Sequence, residues 1–185
     1  MSDARGRLLE LLRALSFERR RVTLASGRES DFFIDCKQAV LTAEGHALVG
    51  PLLHEAILSL AVRAEAVAGV ELGGCPLASA VSFASFGSGA PLDAIYVRKD
   101  AKDHGSQRLL EGGSRLAKGA KVAIVEDVVT TGGSTMKAAE KLRAAGHGIA
   151  GVVALVDRLE GGREALLGDG LAVVTLFTRT DFIPG

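Results

Sequence analysis

The chain has 185 residues, of which 48% are hydrophobic and 24% charged, which is typical of one folded domain rather than a disordered or fibrous protein. Its 22 basic and 22 acidic residues balance, so no overall charge favours nucleic acid or an anionic membrane surface as a partner. Two distant cysteines, Cys36 and Cys75, lack metal-ligand spacing and argue against a zinc site or a disulfide framework. We therefore expect a single domain, residues 1–185, with no nucleic-acid partner and no membrane partner.

The N-terminal third is predicted to contain two helices. Leucines recur at helical spacing over residues 4–16 and predict an amphipathic helix. Charged residues interrupt this pattern, which excludes the apolar core of a signal peptide or membrane span, so a cytoplasmic location is expected. A second helix is predicted over residues 42–60, with Thr42 as its N-cap and a kink at Pro51.

The rest of the chain alternates between apolar runs and helix candidates. The runs are typical of buried strands and cover residues 66–70, 94–97, 122–125, 151–156 and 171–177. Helices are predicted between them, near residues 77–86, 134–145 and 161–168. This alternation predicts an α/β fold with a mostly parallel sheet flanked by helices. The polar interval 98–119 has no clear periodicity and is longer than an ordinary connection, which favours a functional loop.

The segment VAIVEDVVTTGGST, residues 122–135, places two carboxylates and a polar turn after a predicted strand. The turn consists of Thr130, Thr131, Gly132, Gly133, Ser134 and Thr135. Ligands of open α/β sheets bind at the carboxyl ends of strands, and the N–H groups of a helix N-terminus suit a phosphate. A phosphate would repel Glu126 and Asp127, which suit ribose hydroxyls instead. In an alternative interpretation, Thr130 or Ser134 merely caps the helix and the acids are solvated.

Other phosphate-binding patterns are missing from the sequence, since it contains neither GxxxxGK[ST] nor GxGxxG after a strand. The segment 122–135 instead resembles the phosphoribosyl pyrophosphate (PRPP) motif of type I phosphoribosyltransferases. The resemblance implies that family's mostly parallel sheet with flanking helices, a small N-terminal hood segment and a long mobile loop. It also implies that the turn binds the 5-phosphate of PRPP while Glu126 and Asp127 hold the ribose.

The interval VRKDAKDHGSQRLLEG resembles the mobile loop of orotate phosphoribosyltransferases. By that resemblance Arg98 and Lys99 bind phosphate groups of PRPP, while Lys102 and His104 complete the site of a neighbouring subunit when the loop closes. A homodimer with loop sharing is therefore implied, and Lys102, His104 and Asp127 are the implied catalytic residues. The alternative is a charge-rich loop that is merely solvated.

Two further segments resemble orotate-binding parts of the same family. In TLASGRESDFFIDCK, residues 23–37, the implied orotate contacts are Arg28, Phe32 and Phe33, and alternation predicts that one phenylalanine is buried and the other lies beside the ligand. Thr130 is also implied to contact orotate. Arg158 matches the arginine that grips the orotate carboxylate, a planar anion that suits a guanidinium.

The segment AGVELGGCPLAS, residues 68–79, resembles the family's pyrophosphate loop, in which Gly73 and Gly74 allow close approach of an anion. A plain turn from strand to helix explains these glycines equally well. The chain departs from many relatives, which have lysines where Leu72 and Ala25 stand; Arg28 is the candidate substitute near the second position.

The resemblance implies transfer of ribose 5-phosphate from PRPP to N1 of orotate with inversion, without a covalent nucleophile. Mg²⁺ is expected to arrive bound to the pyrophosphate of PRPP, with no metal site built from protein residues. Two alternatives stay open: a purine phosphoribosyltransferase, and a regulatory protein that senses PRPP and binds RNA. The upstream DFF segment and the cationic loop argue against the first, and the neutral net charge argues weakly against the second.

Overall fold

The structure is a computed structural model that describes residues 2–20, 22–23, 29–99 and 109–183. Three residues with predicted roles, Arg28, Lys102 and His104, lie outside the described residues, as does Ala25.

The chain alternates helices and strands around one large sheet. The helices are α1 (Ser2–Leu15), α2 (Lys37–Val40), α3 (Ala43–Leu58), α4 (Gly74–Ser85), α5 (Gly133–Ala144), α6 (Gly162–Gly168) and α7 (Arg179–Phe182), with a 3₁₀ turn at Phe86–Ser88. The strands are β1 (Phe17–Glu18), β2 (Val22–Thr23), β3 (Glu29–Ser30), β4 (Phe33–Ile34), β5 (Ala66–Val70), β6 (Asp93–Val97), β7 (Leu110–Gly112), β8 (Lys121–Val129), β9 (Gly148–Asp157) and β10 (Val173–Thr178).

The central sheet has six strands in the order β10-β9-β8-β5-β6-β7. All neighbouring pairs are parallel except β6 and β7. After β5 the chain moves to one side to form β6 and later returns to the other side to form β8. The strand order therefore reverses between β5 and β8, and such a switch point leaves a crevice at the carboxyl ends of the two strands.

Helices cover both faces of the sheet because its central strands are apolar on both sides. One core cluster joins α1, α3 and α4 to residues such as Val67 and Val125, whereas the other joins α5 and α6 to residues such as Ala68 and Ile124. Neighbouring strand residues thus enter opposite clusters, as the alternation of side chains along a strand requires. The free thiols of Cys36 and Cys75 are buried.

The N-terminal segment packs on one end of the domain through aromatic residues. The antiparallel pair β1 and β4 places Phe17 and Phe32 together, with ring centroids 5.2 Å apart. Phe182 of α7 closes the cluster, 5.6 Å from Phe17 and 5.7 Å from Phe32. The small hood predicted from the resemblance corresponds to this segment, which is anchored by residues from both ends of the chain.

The predicted mostly parallel α/β architecture is confirmed, and each predicted strand and helix is present, β5 with the predicted ends and the others with at least one end shifted. The N-cap is also confirmed, because Thr42 Oγ1 accepts a hydrogen bond from the Gly45 amide at 3.0 Å. Helix α3 continues through Pro51 without interruption. The prediction that 98–119 contains only loop is wrong, since β7 pairs with the edge strand β6. Within the described residues, none of the helices combines the length and apolarity needed to cross a membrane.

Candidate active site

The predicted site lies at the switch point between β5 and β8. The two strands pair up to Gly69 and Val125, beyond which β8 continues to Val129 beside β9 alone. Glu126 and Asp127 occupy this free continuation. The strand therefore brings both residues to the crevice at the carboxyl ends of the strands, where ligands of such sheets bind.

Glu126 points inward from this strand. It is only 4% exposed, and its Oε2 accepts hydrogen bonds from the hydroxyls of Ser134 at 3.1 Å and Thr135 at 3.0 Å. Burial and the neighbouring Asp127 charge raise the pKa of Glu126 to about 8, because both disfavour its ionised form. The interpretation that both acids are solvated is therefore wrong for Glu126, whose carboxyl ties the turn before α5 to β8.

Asp127 is half-buried and faces the turn between β5 and α4. Its Oδ1 accepts a hydrogen bond from the Val128 amide at 3.0 Å. A Cβ added to Gly73 would lie 1.9 Å from Asp127 Oδ2, so the absence of a side chain at Gly73 gives this carboxylate its place. Gly73 thus serves the site through Asp127, whereas a direct contact of Gly73 or Gly74 with an anion stays a prediction.

The polar turn leaves the N-terminus of α5 open. Its N-cap residue is Gly132, with φ +78° and no side-chain capping bond. The interpretation that Thr130 or Ser134 serves only as a cap is therefore wrong, since the Ser134 hydroxyl is directed to Glu126 instead. An uncapped helix N-terminus presents amide N–H groups and a positive dipole end, which together bind a phosphate.

The turn residues differ in what they present to the crevice. Thr131 and Ser134 are exposed, Thr130 and Gly133 are half-buried, and Thr135 is fully buried. Because its hydroxyl is inaccessible, Thr135 can act on a ligand only through its backbone amide or through Glu126. The contacts predicted for these residues with PRPP, and for Thr130 with orotate, stay predictions.

Arg158 directly follows β9 and lies beside the end of β8, where its amide donates to Val129 O at 3.0 Å. Its guanidinium donates to Phe32 O at 3.1 Å and forms an ion pair with Glu160 at 2.8 Å. The structure thus brings Arg158 and the DFF segment together, although they are far apart in sequence. Grip of an orotate carboxylate by Arg158 stays a prediction.

The two phenylalanines of the DFF segment differ in burial, in agreement with the alternation in the sequence. The ring of Phe32 is fully buried in the aromatic cluster with Phe17 and Phe182, so it offers a ligand no surface. The half-buried ring of Phe33 lies under the Arg20 guanidinium, 3.9 Å from its ring centroid. Of the two rings, only that of Phe33 can therefore contact a base.

Arg98 and Lys99 follow β6 and line a cavity of about 360 Å³ against α5. Lys137 and Lys141 of α5 line the same cavity, which is strongly cationic as a result. These two lysines were not predicted as site residues from the sequence. Their spacing of three and seven residues from Ser134 places them on the same helical face, which would have identified them.

Comparisons with known proteins agree with this site. The family model described as the phosphoribosyl transferase domain matches residues 45–166. The chain is similar to the orotate phosphoribosyltransferase of Sorangium cellulosum, with 69% identity over 99% of this chain and 95% of that protein. It is also similar to the Mycobacterium tuberculosis orotate phosphoribosyltransferase, whose structure with Fe(III) dicitrate gives a TM-score of 0.82 at 39% identity, covering 97% of this chain and 99% of that one.

A further structure of the Mycobacterium tuberculosis enzyme, in complex with PRPP, gives a TM-score of 0.78 at 35% identity and covers 97% of this chain and 98% of that one. The chain therefore belongs to the phosphoribosyltransferase family and, within it, to the orotate phosphoribosyltransferases.

Proposed function

We propose that this chain transfers ribose 5-phosphate from PRPP to N1 of orotate, giving orotidine 5'-monophosphate and pyrophosphate, a step of pyrimidine synthesis. The observation that carries the proposal is the pairing of an accessible carboxylate, Asp127, with the uncapped N-terminus of α5 at the switch point of the sheet. The relatives named as orotate phosphoribosyltransferases support orotate as the base.

The proposed reaction proceeds through an oxocarbenium-like transition state, so the protein acts by positioning and by charge stabilisation. The amides at the start of α5 hold the 5-phosphate, and Asp127 accepts hydrogen bonds from ribose hydroxyls. Glu126 supports the turn from beneath through its bonds to the hydroxyls of Ser134 and Thr135. Arg158 orients orotate, while Arg98 and Lys99 neutralise charge on the departing pyrophosphate. Lys102 and His104 keep their predicted catalytic roles, and Arg28 its predicted role in orotate binding.

Magnesium is proposed to enter with PRPP, bound mainly to pyrophosphate and water oxygens. The donor chemistry of the site fits this ion, because Asp127 presents a half-exposed carboxylate whereas Glu126 is buried and bonded. When bound, the ion would reduce the negative charge on the leaving group. The cytoplasm is the proposed location, and the buried free thiols of Cys36 and Cys75 are compatible with a reducing compartment.

A homodimer is also proposed, on the basis of an exposed apolar surface. Phe83 and Phe86 of α4 and its 3₁₀ extension are 87% and 81% exposed, and Leu41 and Leu72 are each 64% exposed. Leu41, Leu72 and Tyr96 line one cavity of about 330 Å³ on this side. Phe83 lies four residues after Ser79, which lines the same cavity, so both are on one face of α4. Exposed apolar surface of this kind marks protein interfaces. Because Leu72 is next to Gly73, a partner bound here would lie beside the active site, as loop sharing requires.

The reaction is tested by mixing the purified protein with Mg²⁺, PRPP and orotate and following orotate absorbance. A decrease that requires PRPP, with no turnover of adenine or hypoxanthine, is expected. Turnover of a purine base but not of orotate would establish a purine phosphoribosyltransferase instead. PRPP binding without turnover of any base would point to a PRPP sensor.

A further inference from the structure

The side chain of Lys141 holds the backbone from which two predicted phosphate-binding side chains project. Its Nζ donates to Arg98 O at 2.7 Å and to Lys99 O at 2.6 Å. Lys141 lies in the last turn of α5, so these bonds connect β6 to the helix whose N-terminus forms the proposed phosphate site. Bonds from a charged donor are stronger than neutral ones and fix the carbonyls more firmly.

A second anchor holds the same short segment at Lys99 and at Val97, on either side of Arg98. Glu71 Oε2 accepts a hydrogen bond from the Lys99 amide at 2.8 Å, and the Glu71 amide donates to Val97 O at 2.9 Å. Glu71 belongs to the turn that carries Gly73. The backbone at Arg98 and Lys99 is thus fixed between the helix of the proposed 5-phosphate site and the turn that accommodates Asp127.

Charge explains why this backbone needs to be held. The cavity brings together the cations Arg98, Lys99, Lys137 and Lys141, while Glu111 lies 3.6 Å from the Arg98 guanidinium and Glu71 bonds the Lys99 amide. Cations at short range repel one another unless an anion lies between them. A rigid backbone keeps them converged, so that an incoming polyanion meets charges already in place.

We propose that Lys141 is a positioning residue that fixes Arg98 and Lys99 for the pyrophosphate end of PRPP. The inference rests on the proposed function, since it assumes that the cavity receives this part of the substrate. Lys141 acts through the two carbonyls that it binds rather than through contact with the reacting atoms.

The test compares three variants of the full-length protein: Lys141→Met, Lys141→Arg and Lys137→Met. The side chain of Lys137 lines the same cavity one turn earlier and forms no hydrogen bond with another described residue, so its variant reports the loss of charge alone. Lys141→Arg retains a cation that can donate to two carbonyls. The measurements are KM for PRPP and for orotate, kcat, the Kd of PRPP with Mg²⁺ by titration calorimetry, and the melting temperature.

We expect Lys141→Met to raise the KM and Kd for PRPP about ten- to hundredfold, because charged hydrogen bonds are lost. In the same variant, KM for orotate should stay within about twofold of wild type. Lys141→Arg should recover most of the lost PRPP affinity, and Lys137→Met should weaken PRPP binding only about two- to threefold. Equal effects of Lys141→Met and Lys137→Met on PRPP binding would overturn the proposal, as would an equal rise in KM for orotate. Calorimetry with PRPP separates the positioning role of Lys141 from the proposed enzyme activity, because it measures PRPP binding even if orotate is not turned over.

Glu71→Ala provides an independent variant, should Lys141→Met fold poorly. It releases the Lys99 amide from the other anchor and should also weaken PRPP binding selectively. Because both anchors hold one short backbone segment, the double variant should lose less than the product of the two single losses. Unchanged PRPP binding by Glu71→Ala would contradict a requirement for a held backbone at Lys99.

Discussion

Gly73 and Asp127 occupy adjoining space so closely that a methyl group at Gly73 would overlap the carboxylate, at 1.9 Å from Oδ2. The φ and ψ angles of Gly73, −64° and −32°, are ones that alanine adopts readily. Gly73→Ala should therefore leave the backbone intact and displace the Asp127 side chain. We expect the kcat/KM for PRPP to fall about ten- to hundredfold, since small misplacements of a site group have effects of this size.

The matched control is Gly168→Ala, at a helical glycine where an added Cβ would meet no atom within 4 Å. Steady-state kinetics and thermal unfolding of both variants check the prediction. Full activity of Gly73→Ala would show that the position of Asp127 is unimportant.

Asp127→Asn should reduce activity by about one to several orders of magnitude, because a charged acceptor of ribose hydroxyl bonds is replaced by a neutral amide. The carboxylate is half-buried, so its removal should change the melting temperature little. Initial rates at saturating orotate and varied PRPP measure the effect. Wild-type rates in the variant would refute the role proposed for this residue.

Glu126 makes the stability of the protein depend on pH. Its pKa is raised from the ordinary 4.5 to about 8 by burial and by Asp127. Between pH 4.5 and about 8, Glu126 is therefore protonated in the folded state and ionised in the unfolded state. The free energy of unfolding should therefore fall as pH rises from about 4.5 to about 8, with the stabilising contribution fully present only below that window. Glu126→Gln keeps a neutral acceptor for Ser134 and Thr135 and should remove this part of the dependence.

Melting curves of wild type and Glu126→Gln at several pH values between 5 and 9 provide the measurement. The variant should gain stability relative to wild type as pH rises, because it never ionises. Parallel curves across the whole range would mean that Glu126 is already ionised in the folded protein.

The sequence predicted the position of the site but not the different environments of its two acids. Glu126 and Asp127 are adjacent on an extended strand and their carboxyl groups interact, yet Glu126 is buried against the hydroxyls before α5 whereas Asp127 is half-buried beside Gly73. Strand alternation contains this information, but the sequence does not show that β8 continues beyond Val125. The Gly73 contact was hidden for another reason: it depends on β5 pairing with β8, which local patterns do not specify.

Strand β7 was missed because three residues, Leu110–Gly112, are too few to show periodicity. Its formation depends on the unpaired edge of β6 and therefore on tertiary structure. Thr42 shows the opposite case. Its capping bond is local, and the hydroxyl with the following helical pattern was enough to predict it.

The exposed phenylalanines of α4 and its extension lead to a prediction about assembly. Phe83→Asp would place a charge at the centre of the apolar surface proposed to pair two copies, and desolvating that charge would oppose association. We expect the wild type to sediment near twice its 19.2 kDa chain mass and the variant to shift to the monomer mass at micromolar concentration. Leu167→Asp is the matched control, since Leu167 is 48% exposed on α6, which covers the other face of the sheet.

If loop sharing across this surface completes the site, Phe83→Asp should also lose most orotate phosphoribosyltransferase activity while retaining its melting transition. Leu167→Asp should keep both the dimer mass and the activity. A fully active monomer would leave the apolar surface intact as an interface but would exclude a partner subunit from the catalytic site.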